Sequence, residues 1–160
     1  MNTGRAFLAG VVGALAMSVM MALARAMGMP ANLEMLLGTM LGLEPGPTAW
    51  MLGLMMHLVA GGVFALFYAW GFENLQTAGA GIGSLFGLGH ALVAGVFMGM
   101  MPMIHPMVPE VLPAPGPFMA NLGMMGIVAE IVLHLLYGAI VGAMYVPVRT
   151  GEPMGRTVRV

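Results

Sequence analysis

The sequence predicts an all-α integral membrane protein, with four transmembrane helices arranged as two parallel helical-hairpin repeats. Three observations predict it. Hydrophobic residues make up 60% of the chain and charged residues 7%, with a mean hydropathy of +0.96. A soluble domain carries roughly 25% charged residues, so this surface cannot face water on all sides. Four apolar runs reach the roughly 20 residues that a helix needs to cross a bilayer. Finally, His57-Leu58-x-x-Gly61-x₆-Tyr68 recurs 77 residues later as His134-Leu135-x-x-Gly138-x₆-Tyr145.

The first span is predicted over residues 6–27. Arg5, the apolar run and Ala24-Arg25-Ala26 loosely resemble a signal peptide with its cleavage site. The run is longer than a usual signal core, and its partner in the repeat is an internal helix, so a span is the better reading. Residues 32–43, with Glu34 their only charge, read as an interfacial or re-entrant helix on the outer surface. The second span covers 49–72, and residues 73–77 form a short connection. The third covers 78–101. Gly79, Gly81 and Gly83 near its start serve helix packing rather than phosphate binding, because no strand precedes them. Residues 102–117 hold Pro102, Pro106, Pro109, Pro113, Pro115 and Pro117, a density that predicts a stiff extended segment without helix. The fourth span covers 122–146. In lipid these spans must be helices, since a helix satisfies its own backbone groups.

Arginine placement gives the orientation. Arg5, Arg149, Arg156 and Arg159 fall on one side and Arg25 alone on the other, so both termini are predicted to be cytoplasmic. The tail after Pro147 is expected to meet anionic headgroups. Trp50, Trp70, Tyr68 and Tyr145 lie near span ends, where an aromatic belt is expected.

The chain is read as one membrane domain over 1–160, with repeat one at 4–72 and repeat two at 81–149. A shift of 77 also aligns the first span with the third. Gly4/Gly81, Leu8/Leu85, Gly10/Gly87, Ala14/Ala91, Leu15/Leu92, Val19/Val96 and Met21/Met98 coincide. Chance would supply about two such matches in so biased a composition. Both halves start on the same side, so the repeat is parallel, about an axis along the membrane normal. His57 and His134 then share one depth, and Gly61 and Gly138, one turn away, leave room for a neighbouring helix or a flat cofactor.

The halves differ where Gly13 corresponds to His90 and Gly53 to Glu130. Glu130 and His134 are four apart on one helix face and within reach of each other. An ionisable group inside a membrane is costly and marks a functional site by default. His57, His90, Glu130 and His134 match the ligand set of a transition-metal centre holding Cu, Fe or Zn. Haem b held between His57 and His134, with Gly61 and Gly138 admitting the macrocycle, is a second reading. A proton or ion pathway through the same groups is a third. The plain alternative is that they hydrogen-bond across helices and fix packing, as in a non-catalytic subunit of a larger membrane complex. An outer copper contact at Met103, His105 and Met107 is a separate, weaker candidate. Met17, Met20, Met21, Met55, Met56, Met98, Met124 and Met125 read as packing residues.

Several classes are excluded or disfavoured. With no Cys there are no disulfides or thiolate metal sites. With no Asp there is no Ser-His-Asp nucleophile. A net charge of −1 argues against a nucleic-acid partner. The partners expected are the lipid bilayer and a second copy of the chain or a larger membrane complex.

Overall fold

A computed structural model describes residues 1–147, and these residues contain helices and no strand. The helices are α1 (Thr3–Ala26), α2 (Leu33–Thr39), α3 (Pro47–Leu75), α4 (Ala80–Gly99), α5 (Met101–Ile104) and α6 (Met124–Met144). A 3₁₀ turn over Pro117–Leu122 precedes α6. Four of the helices, α1, α3, α4 and α6, are long and apolar enough to cross a membrane. Arg149, Arg156 and Arg159, and with them the expected headgroup contact and the end of repeat two, lie outside the described residues.

Local chemistry sets the ends. The Asn2 side chain caps α1 by accepting from the Arg5 backbone N–H at 3.0 Å, which starts the helix three residues before the predicted span. Pro47 occupies the first turn of α3, where its missing N–H costs no hydrogen bond. Gly123, at φ 76°, separates the 3₁₀ turn from α6, so this helix begins later than predicted.

The long helices form two antiparallel pairs, α1 with α3 and α4 with α6, and α1 also packs on α6. Small residues set the spacing. A Cβ at Gly83 would lie 1.9 Å from the Gly138 carbonyl oxygen, so only glycine permits this approach of α4 to α6. The α1–α3 pair is close-packed in the same manner: a Cβ at Gly10 would lie 2.2 Å from the Gly61 oxygen.

The core is built from small and aromatic residues: Ala6, Ala14, Ala65 and Ala69 around Tyr68, Phe72, Tyr137 and Tyr145. Large apolar side chains point outward instead, including Leu8, Leu15 and Val19 on α1 and Leu85, Leu92 and Val96 on α4. This is the reverse of a water-soluble helical bundle.

Three expectations need correction. Tyr68 and Tyr145 are core residues, 4% and 2% exposed, rather than members of an aromatic belt. Their rings find apolar neighbours inside, and their hydroxyls find His90 and Glu73. The helix expected within 32–43 exists as α2, capped by Asn32, and of the two forms expected, interfacial or re-entrant, its packing against the start of α3 corrects the interfacial one. A Cβ at Gly53 would lie 1.7 Å from the Glu34 carbonyl oxygen, so the two backbones touch. The proline-dense stretch is not wholly free of helix. Pro102 sits in the first turn of α5 and Pro117 in the first turn of the 3₁₀ segment, the positions where proline is tolerated.

Candidate functional site: a cavity lined by histidine and methionine

At the end of the bundle where α2 and the proline-rich connection lie, helices and connections line a partly open cavity of about 230 Å³. Its wall is largely aliphatic, and His57 of α3 together with Glu130 and His134 of α6 are the titratable groups on it. Both helices therefore bring a sequence-predicted residue to one space, and α1 adds Met17 and Met21.

Glu130 is 3% exposed, and both of its carboxylate oxygens are buried without a hydrogen-bond partner. His134 Nδ1 lies 3.7 Å from its Oε1, too far for a hydrogen bond. The His134 Nδ1–H instead donates to the Glu130 backbone carbonyl at 2.8 Å, which fixes the tautomer and leaves Nε2 with its lone pair. The predicted i, i+4 contact is thus present, but its closest component is to the backbone. A carboxylate held this way requires a counter-charge, either a proton or a bound cation.

His57 shares a hydrogen bond of 2.9 Å between Nδ1 and the Ser18 hydroxyl. Ser18 is buried in α1, so this bond orients the imidazole from the opposing helix. Next to the cavity, Arg25 closes on Glu34 at 2.9 Å, and the Glu34 side chain has no exposure. Neither the Ser18 contact nor the Arg25–Glu34 pair is predicted from the sequence. The nine-residue spacing of the pair across a turn was its only signal.

His90 is not on the cavity wall. Its ring packs on Phe64 at a centroid distance of 4.4 Å and edge-on against His134 at 4.8 Å, and its Nδ1 shares a 3.2 Å hydrogen bond with the Tyr68 hydroxyl. The four predicted polar groups are therefore split: His57, Glu130 and His134 line the cavity, and His90 backs His134 from an aromatic nest. Among the described residues, no three His, Cys, Asp or Glu side chains are already gathered around a metal position.

Gly61 and Gly138, predicted to leave room near each histidine, have that room filled by helices rather than by a cofactor. A Cβ at Gly61 would lie 2.6 Å from the Ala14 Cβ, and one at Gly138 would lie 2.1 Å from the Gly83 oxygen.

The outer trio does not converge. His105 is buried, its Nε2–H donating to the Leu36 carbonyl at 2.8 Å and its Nδ1 accepting from the Met107 N–H at 3.1 Å. Both ring nitrogens are engaged, Nε2 tying the proline-rich connection to α2 and Nδ1 bracing the connection itself, while Met103 is 83% exposed.

Comparisons with protein families, with curated proteins and with solved structures find no match to this chain.

Proposed function

We propose that this protein is a multi-pass membrane protein, built by duplication of a helical hairpin with both termini cytoplasmic, that binds a transition-metal ion inside its bundle for metal handling. Outward-facing aliphatic side chains on all four long helices support the membrane location. A glycine-to-glycine backbone approach within each hairpin, Gly10 on Gly61 and Gly83 on Gly138, supports the duplication. The observation that carries the metal reading is Glu130: a buried carboxylate lacking any hydrogen-bond partner, beside His134, on the wall of a cavity shared with His57. Two imidazoles and one carboxylate are a recurrent donor set for such ions. The reading narrows from haem to an ion, because helices fill the space beside Gly61 and Gly138.

Elemental analysis of the purified full chain after loading with first-row metal ions tests it. We expect one ion per chain in the wild type and loss of that ion in Glu130→Gln and in His57→Ala with His134→Ala. Equal metal content in all three proteins rejects the reading. Co-purification with a stable membrane complex and no bound metal would favour the structural-subunit reading instead.

A further inference from the structure

The cavity has a second set of donors. Met17 and Met21 of α1, Met35 of α2, Met98 of α4 and Met119 of the 3₁₀ turn all line it. These thioethers come from four separate elements, so they approach the space from different sides rather than as one stripe. Met17 and Met21 are 6% and 4% exposed and lie one turn apart, flanking the Ser18 that orients His57.

We infer that the ion taken by this cavity is Cu(I), held by the thioethers of Met17 and Met21 with an imidazole nitrogen of His57 or His134. The inference rests on the metal-binding reading above and specifies its ion. Three arguments converge.

The first is softness. Thioether ligands select Cu(I) over Zn(II) or Fe(II), and a cavity that offers several of them beside imidazole suits a soft ion. The second is charge. Glu34, the other acidic group near His57, is neutralised by Arg25, so an ionised Glu130 gives the cavity one negative charge. A monovalent ion balances that charge, whereas a divalent ion leaves an uncompensated positive charge among aliphatic walls, which is expensive. The third is geometry. Among the described residues no three histidine or acidic side chains are gathered in advance, as a four-coordinate ion such as Zn(II) needs. Methionine is unbranched with three rotatable bonds, so two or three of these side chains can close on a Cu(I) ion without moving a helix.

The test is anaerobic titration of the purified full chain in lipid nanodiscs with Cu(I), in competition with a chromophoric Cu(I) chelator, and with Zn(II) in parallel. We expect one Cu(I) per chain, no retained Zn(II), and sulfur scatterers around copper in X-ray absorption spectra. The double variant Met17→Leu/Met21→Leu conserves volume, so its thermal unfolding should match wild type while its Cu(I) affinity falls about ten-fold or more. The absorption spectrum needs only the wild type, so a poorly folded variant does not blunt the test. Retention of Zn(II) with no tighter hold on Cu(I), or copper surrounded by nitrogen and oxygen alone, overturns the copper assignment and leaves the metal reading standing. Retention of neither ion overturns both.

Discussion

The hydroxyl of Tyr137 donates to the backbone carbonyl of Gly61, a bond that joins α6 of one hairpin to α3 of the other. Tyr137 is 1% exposed, and its ring meets Tyr68 and His90 edge-on at centroid distances of 5.4 and 5.5 Å. It sits where the two pairs of helices come together, and it has room because Gly13 has no Cβ: one there would lie 2.7 Å from Tyr137 Cδ2. Tyr137→Phe keeps the ring and loses the bond, with an expected cost of about 1 kcal/mol. Tyr137→Ala also empties the volume and should cost roughly 3–5 kcal/mol. Unfolding of the detergent-solubilised protein checks both values, and equal losses for the two variants would show that the hydroxyl, not the ring, dominates.

A second prediction concerns Arg25 and Glu34. The Glu34 side chain is fully buried, and Arg25 is its charged partner at 2.9 Å. Removing only the arginine leaves a buried carboxylate without its cation, so Arg25→Met should destabilise by roughly 3–5 kcal/mol. Removing both, as Arg25→Met/Glu34→Gln, should restore much of that loss. The measurement is a double-mutant cycle on unfolding free energy. Additive effects of the two substitutions would mean that the pair does not act as a unit.

Much of this arrangement was legible from the residues, for reasons that can be named. The four long helices are visible because lipid-length apolar runs are unlike anything a soluble domain needs. His57, Glu130 and His134 are visible because ionisable groups inside such runs are rare. The split that sends His90 away from the cavity is not visible, since it depends on the rotation of α4 against α3 and α6, which Gly83, Gly87 and the ring of Phe64 decide. Nor is the burial of Tyr68 and Tyr145. Their place near helix ends matches a belt position, and only the fold shows that Phe72 and Tyr137 surround them. The connections are the least legible part because they lack periodicity. What positions α2 is backbone contact with Ala49 and Gly53, together with His105 reaching Leu36.

The glycines divide into two kinds, and substitution should separate them. Gly83 and Gly138 face each other's backbones, so Gly83→Ala or Gly138→Ala forces α4 and α6 apart. Such overpacking typically costs about 1–3 kcal/mol or more when backbone must move. Gly81 and Gly89 lie on the same helix α4, but a Cβ there would meet nothing within 4 Å. Gly81→Ala and Gly89→Ala should therefore be neutral or stabilising by up to about 1 kcal/mol, because alanine favours the helix. Thermal unfolding of the four single variants reads the contrast. Destabilisation at Gly89 equal to that at Gly83 would mean that another surface packs on the open face of α4.

The last prediction is the orientation. Thr77 follows α3 at the end of the bundle that holds Asn2, Arg5 and Tyr145, and Glu110 lies at the other end, in the proline-rich connection. Arg25 is the described arginine at that other end, and Glu34 neutralises it. Arg5 precedes the first span and, in the sequence, Arg149, Arg156 and Arg159 follow the fourth, against Arg25 alone, so the positive-inside rule predicts the end with the N-terminus to be cytoplasmic. The chain contains no cysteine, so one introduced at either exposed site is the sole thiol. In intact cells, Glu110→Cys should react with a membrane-impermeant maleimide, and Thr77→Cys should react only after the cells are opened. The reverse pattern inverts the orientation. Labelling of both sites in intact cells, or of neither, means that the two ends do not lie on opposite sides of a membrane, and the spanning arrangement itself then fails.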